Sequence, residues 1–205
     1  KQYHQLYFCF GDYDKDRYKK FGHQVENCYP VGSLKMGIYE NENKKNACPI
    51  YDISIVSEYR QFFEHNPNEL PYNLSKRQKI HERMHKLLAE YIRERQIKSC
   101  IILSSVNIEK QIKYFKNFYS DVADYQTNYK NNLRSYQTIY NSNVVVGFSS
   151  TLISEAFGLN KKVLRIDFSE STDINDYDDM ILIKNPTYEE LADRLNKLMV
   201  ENYDS

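Results

Sequence analysis

Residues 143–168 constrain this chain more than any other stretch: Asn-Val-Val-Val-Gly-Phe, then Ser-Ser-Thr-Leu-Ile-Ser-Glu-Ala-Phe-Gly-Leu-Asn, then Lys-Lys-Val-Leu-Arg-Ile-Asp-Phe. Val144, Val145 and Val146 form a β-branched run without polar alternation, and Gly147 ends it, which predicts a strand buried on both faces. Ser149, Ser150 and Thr151 stand where a helix needs N-caps, Glu155 follows within about a turn and a half, and Gly158 closes a helix of about nine residues. The next strand starts at Val163. A helix that begins with three hydroxyls at the carboxyl end of a parallel strand gathers free N–H groups, the positive end of the helix dipole and hydroxyl donors, a combination that suits a phosphate. The same serines also serve as plain helix caps, and from these residues alone both readings stand.

The rest of the chain extends the pattern. A strand at 51–56 is followed by a polar run, Ser57, Glu58, Tyr59 and Arg60, on what an open α/β sheet makes its ligand side. Residues 62–72 hold two prolines and two asparagines and read as loop. The longest predicted helix covers 74–96, with Ile80, Met84, Leu87, Leu88, Tyr91 and Ile92 on one apolar face. A buried strand at 99–105 ends in Ser104 and Ser105, and helices are predicted at 108–118 and 135–141. Residues 121–133 are polar and carry no predicted element, and 169–179 read as an acidic loop. A strand at 180–184 and a capped amphipathic helix from Pro186, with Leu191, Leu195, Leu198 and Met199 inward, complete the chain. Strands alternating with helices from Tyr51 to Val200 predict an α/β domain, a parallel sheet with helices on both faces.

Ahead of it, a strand at 6–10 and a short helix at 12–21 come before Pro30-Val31-Gly32-Ser33, where backbone can approach closely. The polar stretch 41–47 is the linker, with a new domain beginning near Pro49.

Several chemistries drop out. Lys plus Arg and Asp plus Glu are 28 each, so bulk charge does not point to nucleic acid as a partner. No stretch reaches the roughly 18–20 apolar residues that span a bilayer, and the first residues lack a signal core, so the expected location is the cytoplasm. Cys9, Cys28, Cys48 and Cys100 have no paired spacing and read as reduced thiols rather than disulfides or zinc ligands. Asp12, Asp14 and Asp16 imitate a calcium loop, but Arg17 and His23 stand where that loop needs Gly and Glu. His81-Glu82-Arg83-Met84-His85 matches the zinc-protease pattern formally, yet no third ligand follows at the required spacing. The expectation is histidines flanking the apolar helix face, with no metal.

Three motifs carry a resemblance: Pro30-Val31-Gly32-Ser33; Tyr136-Gln137-x-Ile139-x-x-Ser142-Asn143-Val144-Val145-Val146-Gly147; and Ser149-Ser150-Thr151-Leu152-x-x-Glu155-Ala156-x-Gly158-x-x-Lys161-Lys162-Val163-Leu164. They resemble bacterial surface-carbohydrate biosynthesis glycosyltransferases of the two-Rossmann-domain, GT-B kind. The arrangement is also similar to CDP-glycerol glycerophosphotransferases and to sialyl and Kdo transferases. The resemblance implies that residues 1–45 end an acceptor-side domain and its crossover, with Gly32 and Ser33 in an interdomain loop. Residues 46–205 would then be a Rossmann-like domain that binds a nucleotide-sugar.

By the same resemblance, Ser149, Ser150 and Thr151 hold the donor phosphate, while Glu155 supports the turn or reaches the ribose. Ser57, Glu58, Arg60, Ser104 and Ser105 lie on the nucleoside side. No catalytic residue, metal or cofactor is assigned. The implied partners are the donor and a glycan or lipid-linked glycan acceptor, with peripheral membrane association of a longer protein left open. The sialyl and related transferases carry a His-Pro pair, whereas this chain has His65-Asn66-Pro67, so the sequence does not assign a CMP donor. An epimerase on the same scaffold, or a binding domain without chemistry, are the other readings, and the donor half alone is expected to bind nucleotide but transfer sugar poorly.

Overall fold

In the computed structural model, which describes residues 2–42, 49–127, 133–168 and 181–201, the valine run is a central strand of a six-stranded parallel sheet. The chain divides into two units, Lys1–Asn46 and Ala47–Ser205. The first contains β1 (Tyr3–Cys9), α1 (Asp12–Lys20), β2 (Gln24–Pro30) and α2 (Leu34–Glu42), with β1 and β2 paired in parallel.

The second unit runs β3 (Tyr51–Val56), α3 (Tyr72–Arg95), β4 (Ser99–Ile102), α4 (Ile108–Tyr119), β5 (Ala123–Gln126) and α5 (Arg134–Tyr140). It continues with β6 (Ser142–Gly147), α6 (Thr151–Gly158), β7 (Lys162–Asp167), β8 (Leu182–Lys184) and α7 (Tyr188–Val200). The sheet order is β5-β4-β3-β6-β7-β8 with every described pair parallel. Counted within this unit, that order is 3-2-1-4-5-6, so the unit has a Rossmann-like fold.

Alternation along the strands explains why helices cover both faces. Ile53, Ile55, Ile101, Val144, Val146, Leu164 and Ile166 pack with α3, α4 and α7, through Met84, Leu88, Phe115, Leu191 and Leu195. Their neighbours Val56, Ile102, Val145 and Val163 point to the opposite face and pack with Ile139 of α5 and Ile153 and Ala156 of α6. A central parallel strand must be apolar on both sides, which is why the valines run without interruption. The capping box between Thr187 and Glu190 starts α7, as the sequence predicts.

Three elements depart from the sequence reading: β2, at Gln24–Pro30 where no strand is predicted, β5 and α2. β5 forms within the polar stretch 121–133: it pairs with β4 alone, as an edge strand, and needs few apolar residues, with Ala123 buried and Tyr125 packed against the core. α2 forms at Leu34–Glu42, just beyond Gly32 and Ser33, where the sequence predicts no helix. The predicted loop at 62–72 largely holds two short 3-10 turns, Gln61–Glu64 and Pro67–Glu69, and α3 begins at Tyr72. The predicted acidic loop 169–179 and most of the linker 41–47 lie outside the described residues. No helix among the described residues is long and apolar enough to cross a membrane.

Ser54, in the centre of β3, is fully buried, and its hydroxyl has no hydrogen-bond partner among the described residues. An unmet buried hydroxyl costs stability, whereas the cavity left by removing one oxygen is small. Ser54→Ala is therefore expected to leave stability unchanged or raise it by up to about 1 kcal/mol in urea unfolding. A loss above about 1 kcal/mol would show that the hydroxyl is satisfied, for instance by a buried water.

Candidate functional site at the carboxyl edge of the sheet

β3 and β6 are hydrogen-bonded neighbours, yet the chain leaves β3 toward α3 on one face and leaves β6 toward α6 on the other. Such a reversal opens a crevice beyond the strand ends. The loop after β3 supplies Ser57, Glu58, Tyr59 and Arg60; the turn after β6 supplies Phe148, Ser149 and Ser150.

The two are joined by one side chain. Oε1 of Glu58 accepts the backbone N–H groups of Phe148 at 2.9 Å, Ser149 at 2.5 Å and Ser150 at 3.1 Å. Its Oε2 accepts the Ser149 hydroxyl at 2.6 Å, and the residue is only 8% exposed. The donors that suit an anion in the sequence are thus met, in this structure, by a carboxylate from the neighbouring strand. Ser150 caps α6, its Oγ accepting the Leu152 N–H at 3.3 Å, and Thr151 is exposed at the first position of the helix.

Two further residues shape the turn. A Cβ on Gly147 would lie 2.7 Å from Cδ1 and 3.1 Å from Cγ1 of Ile153, so a larger residue there would make the Ile153 side chain shift in the first turn of α6. From β7, Arg165 donates its Nε–H to the Phe148 carbonyl at 3.0 Å, so the turn is held from both sides. Arg165 and Asp167 are both buried, on one face of an otherwise apolar strand. Charges two apart inside such a strand were the available signal for Arg165, which the sequence reading passed over.

Ser57 and Ser104 are also brought together, by a residue that sequence reasoning missed. Gln111 of α4 is fully buried; its Oε1 accepts the Ser57 hydroxyl at 2.8 Å and the Ser104 N–H at 3.1 Å. Its Nε2 donates to the Ser104 hydroxyl at 2.8 Å and to the carbonyls of Ser104 and Val106. Gln111 thereby fastens the loops after β3 and β4 to each other. A polar residue on the inner face of a helix with otherwise apolar spacing was its only trace in the sequence.

The other named residues are dispersed. Ser105 and Arg60 are exposed on their loops. Glu155 accepts the Tyr136 hydroxyl at 3.0 Å, which ties α6 to α5. Gly32, with φ +71°, and Ser33, whose Oγ accepts the Met36 N–H at 3.3 Å, lie in the first unit at the start of α2. A groove of about 920 Å³ opens between α3 and α4, lined among others by Glu82, Lys86, Lys113 and Phe118, and none of the predicted site residues lines it.

His81 and His85 are buried in the packing between α3 and α4 rather than set at its margin. Their Nε2 atoms lie 3.1 Å apart, His81 Nδ1 lies 3.1 Å from the Tyr114 hydroxyl, and His85 Nδ1 lies 2.7 Å from the Tyr119 hydroxyl. All four ring nitrogens are engaged in one chain, and one of the two facing Nε2 atoms carries the proton between them. Burial, with smaller contributions from Arg77 and Arg60, pushes His81 down to about 3; burial and then His81 push His85 well below its ordinary value. Among the described residues, no group of three or more His, Cys, Asp or Glu is placed to hold a metal ion.

Compared with known proteins, the chain matches no family model and no curated protein sequence.

The histidine pair has a consequence for acid stability. Both histidines are held neutral in the fold, so their contribution is intact above their ordinary value of 6.5 and is lost as pH falls from there toward about 3. Each adds a slope of at most about 1.4 kcal/mol per pH unit. Urea unfolding between pH 6.5 and 5, where carboxylates are still ionised, is expected to show a fall in stability. The variant His81→Gln with His85→Gln, less stable at pH 7, should lose that slope; equal slopes in the two proteins would refute the buried neutral pair.

Proposed function

We propose that this chain is the donor-binding half of a glycosyltransferase that moves a sugar from a nucleotide-activated donor to a bacterial surface polysaccharide. The observation that carries the reading is the meeting of Glu58 with the turn at 148–150 at the reversal of strand order. Three converging N–H groups and a hydroxyl hold one anionic group there, and a donor phosphate presents the same oxygen acceptors. The phosphate takes the place of the Glu58 carboxylate, which swings out of the crevice. Its charge is met by N–H groups and hydroxyls, so the reading needs no metal ion. The loops carrying Ser57 and Ser104, fastened by Gln111, lie on the nucleoside side, and the glycan or lipid-linked glycan acceptor approaches from outside this domain.

Displacement sets a requirement on the ligand. Each charge-assisted bond to Glu58 is worth about 1.5–3 kcal/mol, so a small anion gains little by replacing it. A nucleotide-sugar gains contacts through its base, ribose and sugar as well. A second reading, a binding or scaffolding domain that keeps the fold without the chemistry, draws on the same contact, because Glu58 leaves these donors filled.

A thermal-shift screen against CMP, CDP, UDP, GDP and their sugars separates the two readings. A matched ligand at about a hundred times its dissociation constant adds about 2.7 kcal/mol. The transferase reading expects a nucleotide-sugar to stabilise the protein, Ser150→Ala to weaken binding and Glu58→Ala to strengthen it about tenfold, close to 1.4 kcal/mol. If no nucleotide shifts either the parent or Glu58→Ala, the scaffolding reading stands. Binding left unchanged by both substitutions would move the ligand away from this turn.

A further inference from the structure

The first unit carries a cysteine on each of its two parallel strands. Tyr7 stacks on Tyr18 of α1 with ring centres 4.2 Å apart, so the face of β1 that holds Tyr7 is the one α1 covers. Register sets Tyr7 opposite Cys28 and Cys9 opposite Pro30. Alternate residues share a face, so Cys9, two beyond Tyr7, and Cys28 point to the same side as diagonal neighbours. Their Sγ atoms are 3.6 Å apart. A disulfide needs about 2.05 Å, a closure of about 1.5 Å that side-chain torsion and a small shift of the strands can supply. Cys28 is half-buried, whereas Cys9 is only 2% exposed and directs its thiol at the Gly11 carbonyl, 3.3 Å away.

We infer that Cys9 and Cys28 form an oxidisable dithiol, a modification site that closes to a disulfide between β1 and β2 with a small-molecule disulfide as the oxidant. Cys28, the more accessible, attacks one sulfur of the oxidant as a thiolate; a mixed disulfide forms and one small thiolate leaves. Cys9 then gives its proton to solvent and attacks the Cys28 sulfur. The bond between the two cysteines forms, the bond to the small molecule breaks, and the second small thiolate leaves. The cysteines lose two protons and two electrons, and the oxidant is reduced to two thiols. Burial, and then the hydrogen bond with Cys28, raises the Cys9 thiol above its ordinary value, so the second step quickens as pH rises.

The bond would join the strands of a unit whose described residues bury little apolar surface. Among its described residues, Cys9 and Tyr39 are the buried hydrophobic side chains. Cys100 is buried in the second unit and lies outside this chemistry.

The test uses the whole chain, reduced and then treated with excess oxidised glutathione at pH 8, alkylated and weighed intact and after digestion. The expected result is oxidised protein that takes up two alkyl groups fewer than the reduced protein, a peptide pair linking Cys9 to Cys28, and full reversal by dithiothreitol. The same link should form when Cys48 and Cys100 are both changed to serine and should be absent in Cys28→Ser. A glutathione adduct that persists on Cys28, no change in mass, or a link from either cysteine to Cys48 would overturn the inference.

Discussion

The carboxyl edge of the sheet depends on one contact, Glu58 against the turn at 148–150. Backbone N–H groups at the start of α6 have no partner within the helix and must find one outside it. A carboxylate that is nearly buried must likewise be met by donors or become very costly. Glu58 and the turn satisfy each other, through three N–H groups and the Ser149 hydroxyl. Because Glu58 follows β3 and the turn follows β6, the contact also stitches together the two halves of the sheet where their crossovers diverge. Arg165 secures the same turn through its carbonyl side, so neither hydrogen-bonding face of Phe148 is left open.

A second polar device holds the helical layer on one face of that sheet. α3 and α4 meet through aromatic rings, and within that packing the Tyr114–His81–His85–Tyr119 chain runs between the helices. Two imidazoles side by side could not both be charged there; neutral, each both donates and accepts, and the chain closes without an orphaned nitrogen. The spacing of His81 and His85, one turn apart, is the spacing of a zinc pair, and the structure uses it to let the two rings bond to each other. Gln111, on the same α4, extends the layer's polar ties to the loops after β3 and β4.

The second unit was largely legible because burial on two faces leaves a plain signature. The valines of β6, the isoleucines of β3 and β4, the spacing along α3 and the capping box of α7 all emerge from hydrophobic period and cap residues. β5 did not, since an edge strand with one neighbour carries little of that signature. The site was legible by edge but not by contact. Sequence order places Ser57, Glu58, Ser104 and Ser149 beyond carboxyl ends of strands, but it cannot say that Glu58 reaches across to the N–H groups of residues 148–150. That pairing follows from β3 and β6 lying side by side, a fact of strand order rather than of local pattern. Gln111 was hidden for the same reason: its partners are Ser57 and Ser104, on two different loops. Cys9 and Cys28, nineteen positions apart, show it again, because only parallel register makes them diagonal neighbours.

The first unit obeys different energetics. Its two parallel strands have α1 on one face, while Leu6, Phe8 and Tyr29 on the other remain about half exposed. Parallel pairs are ordinarily buried on both faces, and a two-stranded sheet gains little from its own few hydrogen bonds. What holds this one is local and lateral: the Tyr7–Tyr18 stack, the Tyr3 hydroxyl donating to Glu26, and the sulfur contact between Cys9 and Cys28. Each of these ties links neighbouring elements rather than a shared interior. In such a unit a single covalent bond between the strands changes the balance more than it could in the six-stranded sheet, where both faces are already sealed by helices.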